Sequence, residues 1–293
     1  MTKVSAPLKW HGGKSYLAKW IVSLMPERCR TPNSPSKGDK GWVAYVEPFF
    51  GGGAVLFAND PEGISEVVND LSGTLINFWR VLCGDSTREE LIRILHFTPV
   101  AFDEWRYSVE YFESFCQDEL NAPFQNIPLA AEFFTRYRQS RQGLGKDFAT
   151  LSRNRTRRGM NEQVSAWLSA IDGLPEIHER LKRVVILNND AMKVIRQQDG
   201  PRTHFYCDPP YLHETRTTTS EYGDHEMTIE QHVALLETLK LVKGTFQLSG
   251  YSSDLYADFA KRAGWSCVTK EIDNKASSKK TKDKELECLW MNY

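Results

Sequence analysis

Three absences narrow the class of this chain. Its six cysteines (Cys29, Cys83, Cys116, Cys207, Cys267 and Cys288) form no Cys-x-x-Cys pair. Such scatter suggests neither a zinc cage nor a disulfide framework, so no metal is expected and the thiols should be reduced. No apolar run comes near the roughly 18 residues that a membrane-spanning helix needs. The first residues, MTKVSAPLKWHGGK, contain no apolar signal core either. A soluble, cytoplasmic protein with no membrane partner is expected. Net charge is also nearly absent, at −1 near neutral pH, which makes any local excess of one sign informative.

What is present reads as globular. Hydrophobic residues at 41% and charged residues at 26% of 293 allow a sizeable core and exclude a disordered chain. Positive charge is concentrated between Arg136 and Arg158, where eight basic residues (Arg136, Arg138, Arg141, Lys146, Arg153, Arg155, Arg157, Arg158) meet one acid, Asp147. A positive face on a near-neutral protein suits a polyanionic partner, although a solvated charged surface has the same look.

Residues 14–25 carry Leu17, Ile21 and Leu24 at helical spacing and stop at Pro26. WVAYVEPF (42–49) reads as a strand that runs into FGGGAVLFA (50–58), a glycine turn opening a helix. SEVVND (65–70) reads as a second strand ending on an acid, and LSGTLINFWRVL after it has helical spacing. From about Gly84 to Arg180 the segments are helical, aromatic and charged with no clear strand, as in an insertion. RVVILNND (183–190) and THFYCDPPY (203–211) restore strands. TIEQHVALLETLK (228–240) is a helix with a capping box of Thr228 and Gln231. TFQLSGY, DLYADFAKR, WSCVTKEI and ELECLWMNY continue the alternation, with a polar, lysine-rich loop at 274–284. The expected fold is α/β and Rossmann-like, with a discontinuous core (1–83 and 182–293) and a mostly helical insertion (84–181).

Two constellations carry chemistry. EPFFGGGAV (47–55) places glycines between a strand and a helix, where backbone can approach a ligand closely and adopt positive φ. Asp70 lies 19 residues beyond Gly51 at the next strand end, close to the spacing at which doubly wound folds hold a ribose hydroxyl. Together they describe an adenosine-type site. HGGKS (11–15) is not a phosphate-binding P-loop, because Leu8 stands where the earlier glycine is required. The second constellation is DPPY (208–211), after the strand-like HFYC. An exocyclic adenine amine is a weak nucleophile, since its lone pair is delocalised into the ring. An enzyme must therefore aim it with hydrogen-bond acceptors. Asp208 offers a carboxylate, Pro209 and Pro210 a rigid segment without N–H groups, and Tyr211 a flat face for a base drawn out of the duplex.

At this point the chain resembles the alpha-class, Dam-like (D12 class) DNA N6-adenine methyltransferases. KWHGGK (9–14), EPFFGGGAV, VVND (67–70) and DPPY resemble the family's motifs, in the family's order. The likeness covers roughly 7–83 and 182–293. It implies S-adenosyl-L-methionine as methyl donor and direct transfer to a flipped adenine in double-stranded DNA. It also implies contact with the cofactor through Trp10, Lys14, Glu47, Phe49, Gly51, Gly53, Asp70, Asp190 and Asp208. Arg153, Arg155, Arg157 and Arg158 in the insertion, and Arg216 and Tyr222 in the loop after DPPY, would meet DNA. A cognate restriction enzyme is an optional partner. Two other readings remain: a non-catalytic DNA-binding protein on the same fold, and the same chemistry on RNA adenine or cytosine N4.

Overall fold

A computed structural model describes residues 4–10, 12–29, 41–115, 125–149, 154–212, 226–273 and 284–293. Arg153, Arg216, Tyr222 and residues 274–283 of the expected lysine-rich loop lie outside these residues, while Lys284, also expected in that loop, starts the last strand. In chain order the elements are α1 (Ala18–Ser23), β1 (Ala44–Glu47), α2 (Ala54–Ala58), β2 (Ser65–Asn69), α3 (Gly73–Cys83), α4 (Asp85–Phe97), α5 (Phe102–Glu113), α6 (Ile127–Arg138), β3 (Thr156–Arg157) and β4 (Met160–Asn161). They continue with α7 (Glu162–Asp172), α8 (Leu174–Leu181), β5 (Val184–Leu187), α9 (Ala191–Gln198), β6 (Thr203–Cys207), α10 (Ile229–Lys240), β7 (Thr245–Tyr251), α11 (Asp254–Ala263), β8 (Ser266–Asp273) and β9 (Lys284–Met291). Two compact units interleave along the chain. One comprises Met1–Val22, Gly51–Asp60 and Asp70–Asn188, and the other Ser23–Phe50, Pro61–Asn69 and Asn189–Tyr293.

The second unit is built on strands in the order β2-β1-β6-β7-β9-β8. β1 pairs in parallel with β2 and β6, and β6 in parallel with β7. β9 then returns antiparallel between β7 and β8. Every residue of β6, THFYC, is buried, as expected of a central parallel strand covered on both faces. The strand order reverses between β1 and β6, whose register sets Val46 against Phe205. Open α/β sheets bind ligands beyond the carboxyl ends of the strands at such a point. The Thr228–Gln231 capping box forms at the start of α10.

In the first unit the core is aromatic. Phe78 of α3 stacks on Phe133 and Phe134 of α6 at 5.9 and 5.8 Å, and Phe134 meets Trp167 of α7 at 5.4 Å. His178 of α8 is fully buried and joins Leu82 O (2.8 Å) to Asp85 Oδ1 (3.0 Å), fastening α8 to the α3–α4 joint.

Three local expectations change. The helix expected over 14–25 is regular only over Ala18–Ser23, preceded by turns in which Ala18 N donates to Lys14 O. The strand in RVVILNND stops at Leu187. Asp190 is instead the N-cap of α9, its Oδ1 accepting from Lys193 N at 2.9 Å. The insertion, expected to lack strands, contains the β3–β4 hairpin, paired Thr156↔Asn161 and Arg157↔Met160. Its tip is Arg158 (φ 56°) followed by Gly159 (φ 75°), two consecutive positive φ values that match the twist of a two-residue hairpin turn. Among the described residues no helix is long and apolar enough to cross a membrane.

Glu132 stands on α6 beside this aromatic core. Burial, reinforced by the nearby Glu104, pushes its carboxyl up to about 7. An acid whose pKa is raised by folding stabilises the fold below its unfolded value and loses that contribution as pH rises through the folded one. The melting temperature is therefore expected to fall between about pH 5 and pH 8, and Glu132→Gln to flatten that fall. Equal slopes for the variant and the parent in thermal melts would exclude this role.

Candidate active site

In the second unit, β1 and β6 deliver Glu47 and Asp208 to neighbouring strand ends. Glu47 is 2% exposed and accepts a hydrogen bond from Tyr45 Oη at 2.7 Å. The two residues are two apart on one strand and therefore share a face. Phe49, half-buried, begins the turn that follows. Asp208 is half-buried directly after β6, Pro209 is buried, and Pro210 leads to Tyr211, which is 7% exposed. Tyr211 Oη donates to Glu287 Oε1 of β9 at 2.5 Å. Its ring meets Tyr251 of β7 edge to face, with centroids 4.7 Å apart. Tyr206 of β6 shares a 3.0 Å hydrogen bond with Ser249.

Burial, with the acids beside it, sets the protonation of the surrounding groups. Burial first, then Glu47, holds the Tyr45 phenol well above its usual range. Burial and Asp208 do the same for Tyr206, and burial, Asp208 and Glu287 for Tyr211. All three stay neutral O–H donors at ordinary pH. Burial, with Asp208 and Glu47, also raises the Cys207 thiol, which makes it a poor nucleophile. The buried imidazole of His204 is pushed down to about 3, so it stays neutral within the sheet.

Asn69, fully buried at the end of β2, fastens two turns of this unit. Its Nδ2 donates to Pro48 O (2.9 Å) and Asn189 O (3.0 Å), and its Oδ1 accepts from Asn189 N (2.9 Å). Its own carbonyl accepts from Phe50 N at 2.8 Å. Asp190 follows Asn189 as the exposed cap of α9.

The first unit gathers the glycine turn, Asp70 and Trp10. Asp70 Oδ2 accepts from Gly51 N at 2.9 Å and its Oδ1 from Ser72 N at 3.0 Å. Asn188 Nδ2 donates to the carbonyls of Asp70 and Leu71. Gly51 and Gly53 have φ of 51° and 72°. A side chain at Gly51 would put its Cβ 2.9 Å from Trp10 Nε1, so the turn requires glycine for both conformation and space. Trp10 is set by rings of α6, Tyr137 at 5.0 Å and Phe133 at 5.9 Å. Lys9 Nζ donates to Ser140 O at 2.7 Å. Lys14 is 5% exposed and donates to Gly12 O at 3.0 Å.

Arg155, Arg157 and Arg158 form a different kind of group, exposed on and beside the hairpin. Arg155 Nε lies 3.6 Å from Glu162, and Arg158 Nη1 donates to Ser169 Oγ at 2.9 Å. Sequence patterning does not single out Asn69, Tyr251 or Glu287. The repeated Asn-Asp pair in VVND and LNND is the one textual sign of the hydrogen bonds between Asn69 and Asn189.

The parallel strands, the reversal of order and the strand-end acids make this a Rossmann-like α/β fold of the methyltransferase kind. The model of the D12 class N6 adenine-specific DNA methyltransferase family matches residues 10–277. The chain belongs to that family, whose activity is adenine methylation in DNA. It is 28% identical to the type II methyltransferase M1.LlaDCHI of Lactococcus lactis subsp. cremoris over 265 residues, covering 86% of this chain and 84% of that protein. It is 25% identical to the type II methyltransferase M.MjaIII of Methanocaldococcus jannaschii over an alignment of 305 positions, covering 98% of each.

Asn69→Ala would strand buried backbone groups on both turns it joins. Each stranded group costs about 1–3 kcal/mol, so a loss of roughly 3 kcal/mol or more is expected in urea denaturation. A loss under 1 kcal/mol would mean that water replaces the amide there.

Proposed function

We propose that the chain transfers the methyl group of S-adenosyl-L-methionine to N6 of an adenine flipped out of double-stranded DNA, in the cytoplasm. The observation that carries this reading is Asp208-Pro209-Pro210-Tyr211 leaving the carboxyl end of β6 beside Glu47 of β1, where the strand order reverses. Asp208 and the carbonyl of Pro209 act as acceptors for the two N6–H donors, and Tyr211 offers its ring to the base.

The residues fit such a cofactor. Gly51 and Gly53 adopt positive φ in a turn that a side chain at Gly51 would block. Both Asp70 oxygens accept amides of that turn and its neighbour, which holds the carboxylate at the position where doubly wound folds meet a ribose hydroxyl. We assign cofactor contact to Trp10, Lys14, Glu47, Phe49, Gly51, Gly53, Asp70, Asp190 and Asp208. When bound, the sulfonium supplies an already activated methyl group, so the protein's task is orientation and exclusion of water. We assign the catalytic core to 1–83 and 182–293 and target recognition to 84–181, with DNA contact through Arg153, Arg155, Arg157, Arg158, Arg216 and Tyr222. Both relatives are type II methyltransferases, which supports pairing of this chain with a cognate restriction enzyme.

Incubation with unmethylated genomic DNA and labelled cofactor should give N6-methyladenine by nucleoside mass spectrometry. Asp208→Ala should abolish transfer while leaving the fold and DNA binding intact. A product consisting solely of N4-methylcytosine would overturn the substrate, and near-normal turnover of Asp208→Ala would overturn the role of the carboxylate.

The hairpin arginines should carry part of the DNA affinity. In Arg155→Ala/Arg157→Ala/Arg158→Asn, asparagine is chosen at 158 because it tolerates the positive φ found there. Each lost phosphate contact should lower the dependence of log affinity on log salt by about one. A lost guanine contact should instead relax sequence preference by roughly 1–3 kcal/mol. Parent-like binding and methylation at every salt concentration would reduce the hairpin to a solvated turn.

A further inference from the structure

Tyr211 is braced from β7 and β9 in a way that its place in the DPPY string does not reveal. The register sets Tyr251 of β7 directly opposite Glu287 of β9, and opposed residues of an antiparallel pair project from the same face of the sheet. Both reach Tyr211: Tyr251 through the edge-to-face ring contact and Glu287 through the hydroxyl. Glu287 is 1% exposed. A buried carboxylate is retained only where hydrogen bonds offset its desolvation, and a donor 2.5 Å away supplies one. A phenylalanine at 211 would offer a base the same flat face. The hydroxyl adds an anchor, and two rigid prolines precede it.

We propose that Glu287 is a positioning residue for methyl transfer: it fixes the hydroxyl of Tyr211 while Tyr251 braces the ring, so that the ring face is held in the orientation in which it receives the adenine. This rests on the reading of Tyr211 as the surface that meets the base. A stacking platform that rotates cannot hold an amine aimed at a methyl group, and small misplacements of reacting groups are costly in rate. Tyr211 itself acts on the base; Glu287 acts through Tyr211.

The experiment is a mutant cycle read by single-turnover formation of N6-methyladenine on unmethylated genomic DNA, with S-adenosyl-L-methionine affinity and melting temperature measured in parallel. Glu287→Leu and Tyr211→Phe should each slow transfer by about tenfold, the scale of one hydrogen bond to a charged group, with cofactor affinity unchanged. Glu287→Gln, which keeps an acceptor, should recover most of the lost rate. Tyr211→Phe/Glu287→Leu should be no slower than the slower single variant, because the Tyr211–Glu287 hydrogen bond is already lost in each single variant. Parent-like rates for Glu287→Leu and Tyr211→Phe, or multiplied losses in the double variant, would overturn the proposal. If Glu287→Leu does not fold, Tyr211→Phe and Glu287→Gln decide: a parent-like rate for Tyr211→Phe, or a Glu287→Gln rate far below it, overturns the anchor. Tyr211→Ala separates the two levels. A slow Tyr211→Ala beside a parent-like Tyr211→Phe removes only the anchor, whereas a parent-like Tyr211→Ala removes Tyr211 as the base platform as well.

Discussion

Parallel strands end with a problem that antiparallel hairpins avoid: the chain must leave the sheet through a turn whose backbone groups have no ladder to join, at the place where a ligand site belongs. Here the amide of Asn69 meets that constraint. With one side chain it serves the carbonyl of Pro48 and both backbone groups of Asn189, while its main chain receives Phe50 N. Asparagine is suited to the position because it alone, with glutamine, offers a neutral donor pair and an acceptor on one planar group. A carboxylate could not donate to Pro48 O. The turns that present Glu47 and the segment leading to Asp190 are thereby fixed before any ligand arrives.

Around β1, β6 and β9 the structure accumulates buried acids: Glu47, Glu66 and Glu287 are all at most 2% exposed. Burying a carboxylate without partners is costly, and the chain answers with phenols rather than with a close-packed core of hydrocarbon alone. Tyr45 donates to Glu47, and Tyr211 to Glu287. The dependence runs in both directions. Burial first, and the acid neighbours with it, keeps the phenols from ionising, so the donors that stabilise the acids are not lost with rising pH. An environment rich in acceptors and neutral donors is poor at general acid-base catalysis near pH 7 and well suited to orienting an amine, which is what transfer from an activated donor asks of a protein.

Elements with a local physical signature were legible in the sequence. The glycine turn, the apolar strands of the sheet and the Thr228 capping box are set by conformational freedom, burial and a short-range hydrogen bond, each visible within a few residues. The β3–β4 hairpin was not, because two strands of two residues leave no alternation to detect, and its turn uses arginine at a positive φ where asparagine or glycine would have marked it. Asp190 illustrates another limit: a strand end and a helix cap both favour aspartate, and only the hydrogen bond to Lys193 N tells them apart. Glu287 lies 76 residues from Tyr211. Their meeting is a consequence of strand order and register, which pairwise pattern along the chain does not encode.

The two Asn-Asp pairs show why similar text can carry different physics. In both, the asparagine stays with the strand-end network: Asn69 makes three side-chain hydrogen bonds there, and Asn189 is one of its partners through the backbone. The aspartates diverge. Asp70 spends each carboxylate oxygen on a separate amide, Gly51 N and Ser72 N, which ties the geometry of the glycine turn to its own. Asp190 spends one oxygen on the first turn of α9 and remains exposed. Removing the Asp70 carboxylate would therefore release the glycine turn as well as any ligand hydroxyl, so a loss of cofactor affinity there would combine two effects. At Asp190 the structural part is a single helix cap, typically about 1 kcal/mol, and a larger loss of cofactor affinity than that would have to come from direct contact.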